Sequence, residues 1–183
     1  GNAPGEATPR MPTLPPPVDP GDAASDGGRY EVRRLLGKGA MGEVLLCRDA
    51  RIGREVAMKV IADDHKGDRQ ARTRFLREAR VQGQLEHPAI VPVHDLGVDE
   101  RGAEYFTMKC LRGETLADIL KRLAAGDAAA IEQYPLRRLL SAFSAACLAV
   151  DFAHARGVLH RDLKPSNIML GAYGEVYVLD WGI

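Results

Sequence analysis

Residues 158–167 read V-L-H-R-D-L-K-P-S-N and set Asp162, Lys164 and Asn167 within six positions of one another. The stretch follows a helical pattern that ends at Gly157 and precedes a short apolar run at 168–170, so it reads as a loop held between packed elements. One proton acceptor, one cation and one amide oxygen in such a loop suit phosphoryl transfer. The Asp162 carboxylate can accept a hydroxyl proton, the Lys164 ammonium can follow charge on a moving phosphoryl group, and the Asn167 carbonyl can ligate a hard cation. The plain alternative is a polar surface turn carrying Pro165, but the ordered string H-R-D-L-K-P-x-N is too long for that reading to be favoured.

Upstream, β-rich runs at 30–36 and 43–48 flank G-K-G-A-M-G at 37–42, which predicts a hairpin with a glycine-rich turn. Gly37, Gly39, Gly42 and Val44 have the spacing G-x-G-x-x-G-x-V, and without side chains the backbone N–H groups can approach a polyphosphate closely. A dinucleotide-binding turn uses the same glycines, yet the run E-V-L-L-C-R that follows is short and strand-like instead of opening a helix. The next strand, E-V-A-M-K-V-I at 55–61, puts Val56, Met58 and Val60 on one face and Ala57 and Lys59 on the other. A lysine flanked by aliphatic residues on such a strand is costly unless it is paired or snorkels at an edge. The helix predicted over 68–85 carries Phe75, Ala79, Gln82 and Leu85 on one stripe with Glu78 beside it, so Glu78 is the expected partner of Lys59.

Pro88 ends that helix, and strands are predicted at 90–96 and 103–111 across a turn at 97–102. His87 and His94 read as turn and strand residues, not ligands. A short amphipathic helix follows at 115–123, then a connector of small and polar residues at 125–134. Beyond Pro135 a long helix is expected to pack on the face of Leu136, Leu139, Leu140, Phe143, Cys147 and Val150. A hairpin over 168–179 then delivers Asp180-Trp181-Gly182, a carboxylate at a strand end beside a glycine, suited to a metal ligand and also common as a turn.

Composition sets the outer bounds. The 183 residues are 45% hydrophobic and 27% charged, with 25 basic against 25 acidic side chains, so nothing in the charge calls for nucleic acid or an anionic membrane. Cys47, Cys110 and Cys147 are odd in number, far apart and set in apolar runs, which predicts reduced core thiols and a cytoplasmic protein. No apolar run is long enough to span a bilayer. Residues 1–28 hold seven of the eleven prolines and five glycines, the composition of a disordered leader. Its 14–17 segment, L-P-P-P, is a candidate ligand for a proline-binding module.

Taken together, these motifs resemble the protein kinase family, most closely the eukaryotic-like Ser/Thr kinases of bacteria. The likeness runs from Tyr30 onward: G-K-G-A-M-G-E-V, V-A-M-K, Glu78, H-R-D-L-K-P-S-N and D-W-G in family order, with Lys59 and Glu78 nineteen positions apart and Asp162 and Asp180 eighteen. It implies an α+β, two-lobed fold. A five-stranded antiparallel sheet with one helix would form the small lobe, 29–108, and the hinge and the start of a mostly helical large lobe would fill 109–183. It also implies ATP and Mg²⁺ as cofactors, and protein Ser/Thr hydroxyls as acceptors.

Residue by residue, the resemblance implies that Gly37, Lys38, Gly39, Ala40, Met41 and Gly42 cover the phosphates. Leu36, Val44, Ala57 and Met169 would sandwich the adenine, Met108 would be the gatekeeper, and the backbone of Lys109 and Leu111 would bond the base. Lys59, held by Glu78, would contact the α and β phosphates. Asn167 and Asp180 would hold Mg²⁺, Asp162 would orient and deprotonate the acceptor, and Lys164, in the Ser/Thr-kinase pattern, would stabilise the transferred group. Arg161 implies control by a phosphorylated activation loop.

Three departures stand out: Trp181 for the usual phenylalanine, Lys109 for a common hinge acid, and Gln82 for an aliphatic residue, expected to loosen the helix. The chain starts at Gly1 and stops at Ile183 after D-W-G, which predicts a piece of a longer kinase with little activity of its own and an exposed apolar face on its long helix. A membrane anchor outside this stretch would suit similar bacterial enzymes. The rival readings are an aminoglycoside-type small-molecule kinase, disfavoured by Lys164 and the full glycine loop, and a nucleotide-binding pseudokinase or scaffold, disfavoured by the complete set of catalytic side chains.

Overall fold

A computed structural model describes residues 28–39, 42–62 and 68–181. The proline-rich stretch 1–27, residues Ala40 and Met41 of the glycine-rich run, 63–67, and 182–183 lie outside them.

Five antiparallel strands form the first sheet, in the order β1-β2-β3-β5-β4: β1 Tyr30–Gly39, β2 Gly42–Asp49, β3 Arg54–Ile61, β4 Val93–Val98 and β5 Glu104–Lys109. Alternation along β3 sorts its side chains as expected. Val56 and Met58 pack with Cys47 on one face, and Ile61 packs with Phe75, Ala79 and Phe106 under the helix on the other. Gly42 is required by this packing, because a Cβ there would lie 2.0 Å from the Val60 carbonyl oxygen.

The helix α1, Arg69–Gln84, is capped by Asp68, whose side chain accepts the Gln70 N–H at 2.8 Å. Ala71, Phe75, Glu78, Ala79 and Gln82 are its buried stripe. Gln82 does not loosen it: the buried amide donates to the Val91 carbonyl at 2.9 Å, tying α1 to the segment before β4. At the far end of the sheet Arg29 bridges Asp49 (3.2 Å) and Asp95 (2.5 Å), a clamp the sequence pattern did not reveal.

The strand expected at 90–96 is shifted to Val93–Val98, because residues 90–92 leave the sheet. Ile90 makes a parallel bridge to Val178, and Ala89 accepts the Val178 N–H at 2.8 Å. The turn is correspondingly tighter than 97–102: the Asp99 carboxylate accepts the Arg101 and Ala103 N–H groups, and Gly102 takes φ +75°.

Beyond β5, a three-residue strand β6, Gly113–Thr115, joins β7, Ile168–Gly171, and β8, Val176–Val178, in a second sheet of order β6-β7-β8. Thr115 caps α2, Leu116–Ala124. The connector expected at 125–134 contains a helix, α3, Ala128–Gln133. Its cap Asp127 accepts the Ala130 N–H and pairs with Arg122, so a residue that looked like loop punctuation starts an element.

The long helix α4, Leu136–His154, buries a different face from the one expected. Ala142, Ala146, Ala149 and Ala153 pack against Ile168, Leu170, Val178 and Trp181, while Leu136, Leu140 and Phe143 are 71%, 57% and 61% exposed. Small side chains allow close approach to the second sheet, so the alanines win the interior although each buries less area. Leu139 and Val150 are partly buried at the margin of the same cluster. The expected exposed apolar face is present.

The cysteines divide as well. Cys47 is buried, and burial pushes its thiol up to about 11, whereas Cys110 is half-buried and Cys147 is exposed, so only the first is a core residue. All three are free. Among the described residues no helix is long and apolar enough to cross a membrane.

Candidate active site

Lys59 lies in the middle of the sheet, with Val44 of β2 and Phe106 of β5 on either side. Strand alternation aims it towards α1, where its ammonium stands 2.6 Å from Glu78 Oε1. The two side chains are 13% and 4% exposed. Burial pushes the Glu78 carboxyl above the usual carboxylate range, and the Lys59 charge opposes that rise. Lys59 also lies 3.8 Å from Asp180 Oδ1, whose side chain is half exposed, so the ammonium bridges α1 and the end of the β7–β8 hairpin.

The loop after α4 is fixed by contacts to that hairpin. His160 bonds the Leu179 carbonyl through Nε2 at 2.7 Å, and its ring packs on Trp181 at 4.8 Å between centroids. Trp181 is fully buried and donates Nε1–H to the Val178 carbonyl at 2.9 Å, so the larger ring is accommodated with its polar edge satisfied. The Leu179 N–H donates to the Asn167 carbonyl at 2.8 Å, placing Asn167 next to the strand end that carries Asp180.

Asn167 donates its amide N–H to the Asp162 backbone carbonyl at 2.9 Å, and Lys164 Nζ lies 2.6 Å from Asp162 Oδ2. The Lys164 hydrogen bond holds the Asp162 carboxyl below its usual range. Arg161 and Asp180 both take left-handed backbone, φ 66° and 57°. Non-glycine residues rarely do so, and such positions concentrate at sites where geometry is over-determined.

An unbroken chain of contacts therefore joins Glu78, Lys59, Asp180, Leu179, Asn167, Asp162 and Lys164. Most of the other expected site residues lie on the strands of the two sheets. Leu36 is exposed on β1, and Val44 sits on β2 directly opposite Lys59. Ala57 on β3 is opposite Met108 on β5, and Met169 on β7 is opposite Tyr177 on β8. Gly37 and Gly39 differ from Gly42: a Cβ at Gly37 meets nothing within 4 Å, and one at Gly39 meets only a backbone oxygen at 3.8 Å. Among the described residues, packing does not require those two glycines.

Lys109 ends β5 with its N–H bonded to the Pro92 carbonyl, and Leu111 follows, half-buried. Lys38 pairs with Glu43 at 3.0 Å across the hairpin. Sequence reasoning passed over His160 and Tyr177, although His160 stands inside the quoted motif. Among the described residues no cluster of three or more His, Cys, Asp or Glu could hold a metal ion, so a cation here would rest on the mixed pair Asn167 and Asp180.

A hairpin flanked by glycines beside a lysine–glutamate pair, joined through Asp180 to an aspartate–asparagine loop, is the arrangement expected of a two-lobed kinase fold. Residues 30–183 match the family model described as the protein kinase domain, and the chain belongs to that family. It is 44% identical over 157 residues to the serine/threonine-protein kinase PknD of Chlamydia trachomatis serovar D, covering 84% of this chain and 17% of that protein, and 43% identical over the same length to PknD of Chlamydia caviae. The crystal structure of the Mycobacterium tuberculosis PknI kinase domain matches with a TM-score of 0.64 at 33% identity, over 88% of this chain and 63% of that one. The chain thus spans about a sixth of the length of these curated relatives. These relatives are protein kinases, the reading favoured above over the small-molecule and scaffold alternatives.

Proposed function

We propose that the protein transfers the γ-phosphoryl group of Mg-ATP to serine and threonine hydroxyls of protein substrates. The observation that carries this reading is the contact chain that links Lys59, Glu78, Asp162, Lys164, Asn167 and Asp180 from four separate elements of the chain. Lys59, fixed by Glu78, presents a positive charge to the α and β phosphates. Gly37–Gly39 and Gly42 cover them with backbone N–H groups, with Lys38, Ala40 and Met41 in the same turn. Leu36, Val44, Ala57 and Met169 enclose the adenine, beside the Met108 side chain and the backbone of Lys109 and Leu111.

The Asn167 amide nitrogen is committed to the Asp162 carbonyl, so its side-chain oxygen remains for a hard cation, and the half-exposed Asp180 carboxylate is the second oxygen donor. That donor set fits Mg²⁺, which takes few protein ligands and leaves the rest to phosphate and water oxygens. Bound there, the ion would neutralise charge on the phosphates. Asp162, kept ionised by Lys164, accepts the acceptor hydroxyl's proton, and Lys164 then follows the charge of the migrating group.

The test is transfer from labelled ATP to a Ser/Thr peptide library by the full-length gene product. In Asp162→Asn the rate should fall by about 100-fold or more while ATP still binds; an unchanged rate removes Asp162 as the base.

A further inference from the structure

We infer that Lys109 and Tyr177 form a latch between the two lobes that sets the cleft opening at its adenine end, which makes both of them positioning residues for ATP. The inference rests on the kinase reading above. Lys109 is the last residue of β5, where the chain leaves the first sheet. Its Nζ lies 2.5 Å from the Tyr177 hydroxyl oxygen and 4.9 Å from the centroid of the Tyr177 ring. Tyr177 is only 7% exposed and is the central residue of β8, directly opposite Met169 of β7. Opposed residues in an antiparallel pair stand on one face of the sheet, so the tyrosine shares its face with the proposed floor of the adenine pocket. One charged hydrogen bond, between residues 68 positions apart, therefore joins the exposed lysine at the end of β5 to the residue opposite that floor.

On the Lys109 side of the junction, Lys109 and Tyr177 make a direct side-chain hydrogen bond between the end of β5 and β8. An open cleft of about 420 Å³, lined by Gln82, Pro92, Val93, Lys109 and Tyr177 among others, borders the contact, and beyond it Leu85, Ala89 and Ile90 pack with Ile168 and Val178. The neighbouring crossing from Arg112 to Glu55 is solvent-exposed on the arginine side, 84%, and 46% on the other, where ion pairs contribute little. The backbone bond from Val178 to Ala89 fixes the other side of the junction. Lys109 and Tyr177 then limit how far the hinge can lift from Met169.

The measurement is calorimetric Mg-ATP binding by the full-length protein and its variants, with Mg-tripolyphosphate as a ligand that lacks the base. Tyr177→Phe keeps the ring opposite Met169 and deletes only the acceptor oxygen; Lys109→Met deletes the donor. Each should raise the ATP Kd by roughly threefold to tenfold, the range of an ordinary intramolecular hydrogen bond. The double variant should be no weaker than either single one, and Lys109→Arg should recover most of the loss. Tripolyphosphate affinity should stay within about twofold of its original value, which a general loss of folding would not allow. An ATP Kd unchanged in Tyr177→Phe and Lys109→Met, or equal losses for ATP and tripolyphosphate, overturns the latch alone. Failure of the unsubstituted protein to bind Mg-ATP overturns the kinase reading and the latch with it.

Discussion

Lys59 and Glu78 show how one side chain's burial cost selects another. The strand places an ammonium where 13% of it reaches solvent, and Glu78, 4% exposed, answers it at 2.6 Å. Removing one partner of a buried pair leaves the other uncompensated, at a cost of about 3–5 kcal/mol. Lys59→Met should approach that loss at neutral pH and fall short of it in acid. The sign follows from Glu78: burial raises its folded pKa above the unfolded value, so its contribution to stability is complete below the ordinary carboxylate range and is lost as pH rises through the folded value. Deleting the lysine removes the charge that opposes this rise. Urea unfolding of Lys59→Met at acidic and neutral pH should therefore show the deficit growing with pH, and Lys59→Met/Glu78→Gln should abolish most of that dependence. This pair was legible in the sequence, because a lysine among aliphatic residues has few other solutions. Tyr177 was not, since nothing local marks a β8 residue as the partner of a lysine 68 positions away.

Elements differ in how much of their placement is local. The α1 boundaries were legible from Asp68 and the apolar stripe, because a cap and a 3.6-residue period both reside in the helix itself. The buried face of α4 was not. Its leucines and phenylalanine recur at helical spacing, yet the second sheet takes the alanine stripe, a choice made by the distance between elements and absent from hydropathy. The strand β6 escaped for the same reason: three residues have no period, and Gly113 is demanded by a partner strand, with a Cβ falling 2.2 Å from the Leu170 carbonyl oxygen. The glycine-rich hairpin gives an element-scale prediction. Gly42→Ala drives a methyl into the Val60 carbonyl oxygen, so β2 must separate from β3, whereas Gly39→Ala meets nothing closer than 3.8 Å among the described residues. Thermal unfolding should show Gly42→Ala destabilised by at least about 1 kcal/mol, the lower end for overpacking, and Gly39→Ala close to the original protein. Equal melting temperatures for the two would contradict the assigned difference.

At the scale of the whole molecule, the site is a product of topology. Residues from β3, α1, the loop after α4 and the end of the β7–β8 hairpin meet through contacts between elements far apart in the chain. Motif order and spacing made the family legible, but the convergence needed the fold: Lys59 touches Asp180 at 3.8 Å across 121 positions of chain, and Leu179 to Asn167 closes the circuit. If one triphosphate is gathered by all these groups, then Lys59 and Lys164, separated by 105 positions, should both sit within reach of its phosphates. An ATP analogue carrying an amine-reactive acyl phosphate, followed by mass-spectrometric mapping on the full-length protein, measures this directly. The account predicts acylation at Lys59 and Lys164, both suppressed by excess Mg-ATP. Labelling that excess Mg-ATP leaves unaltered at these two lysines would contradict it.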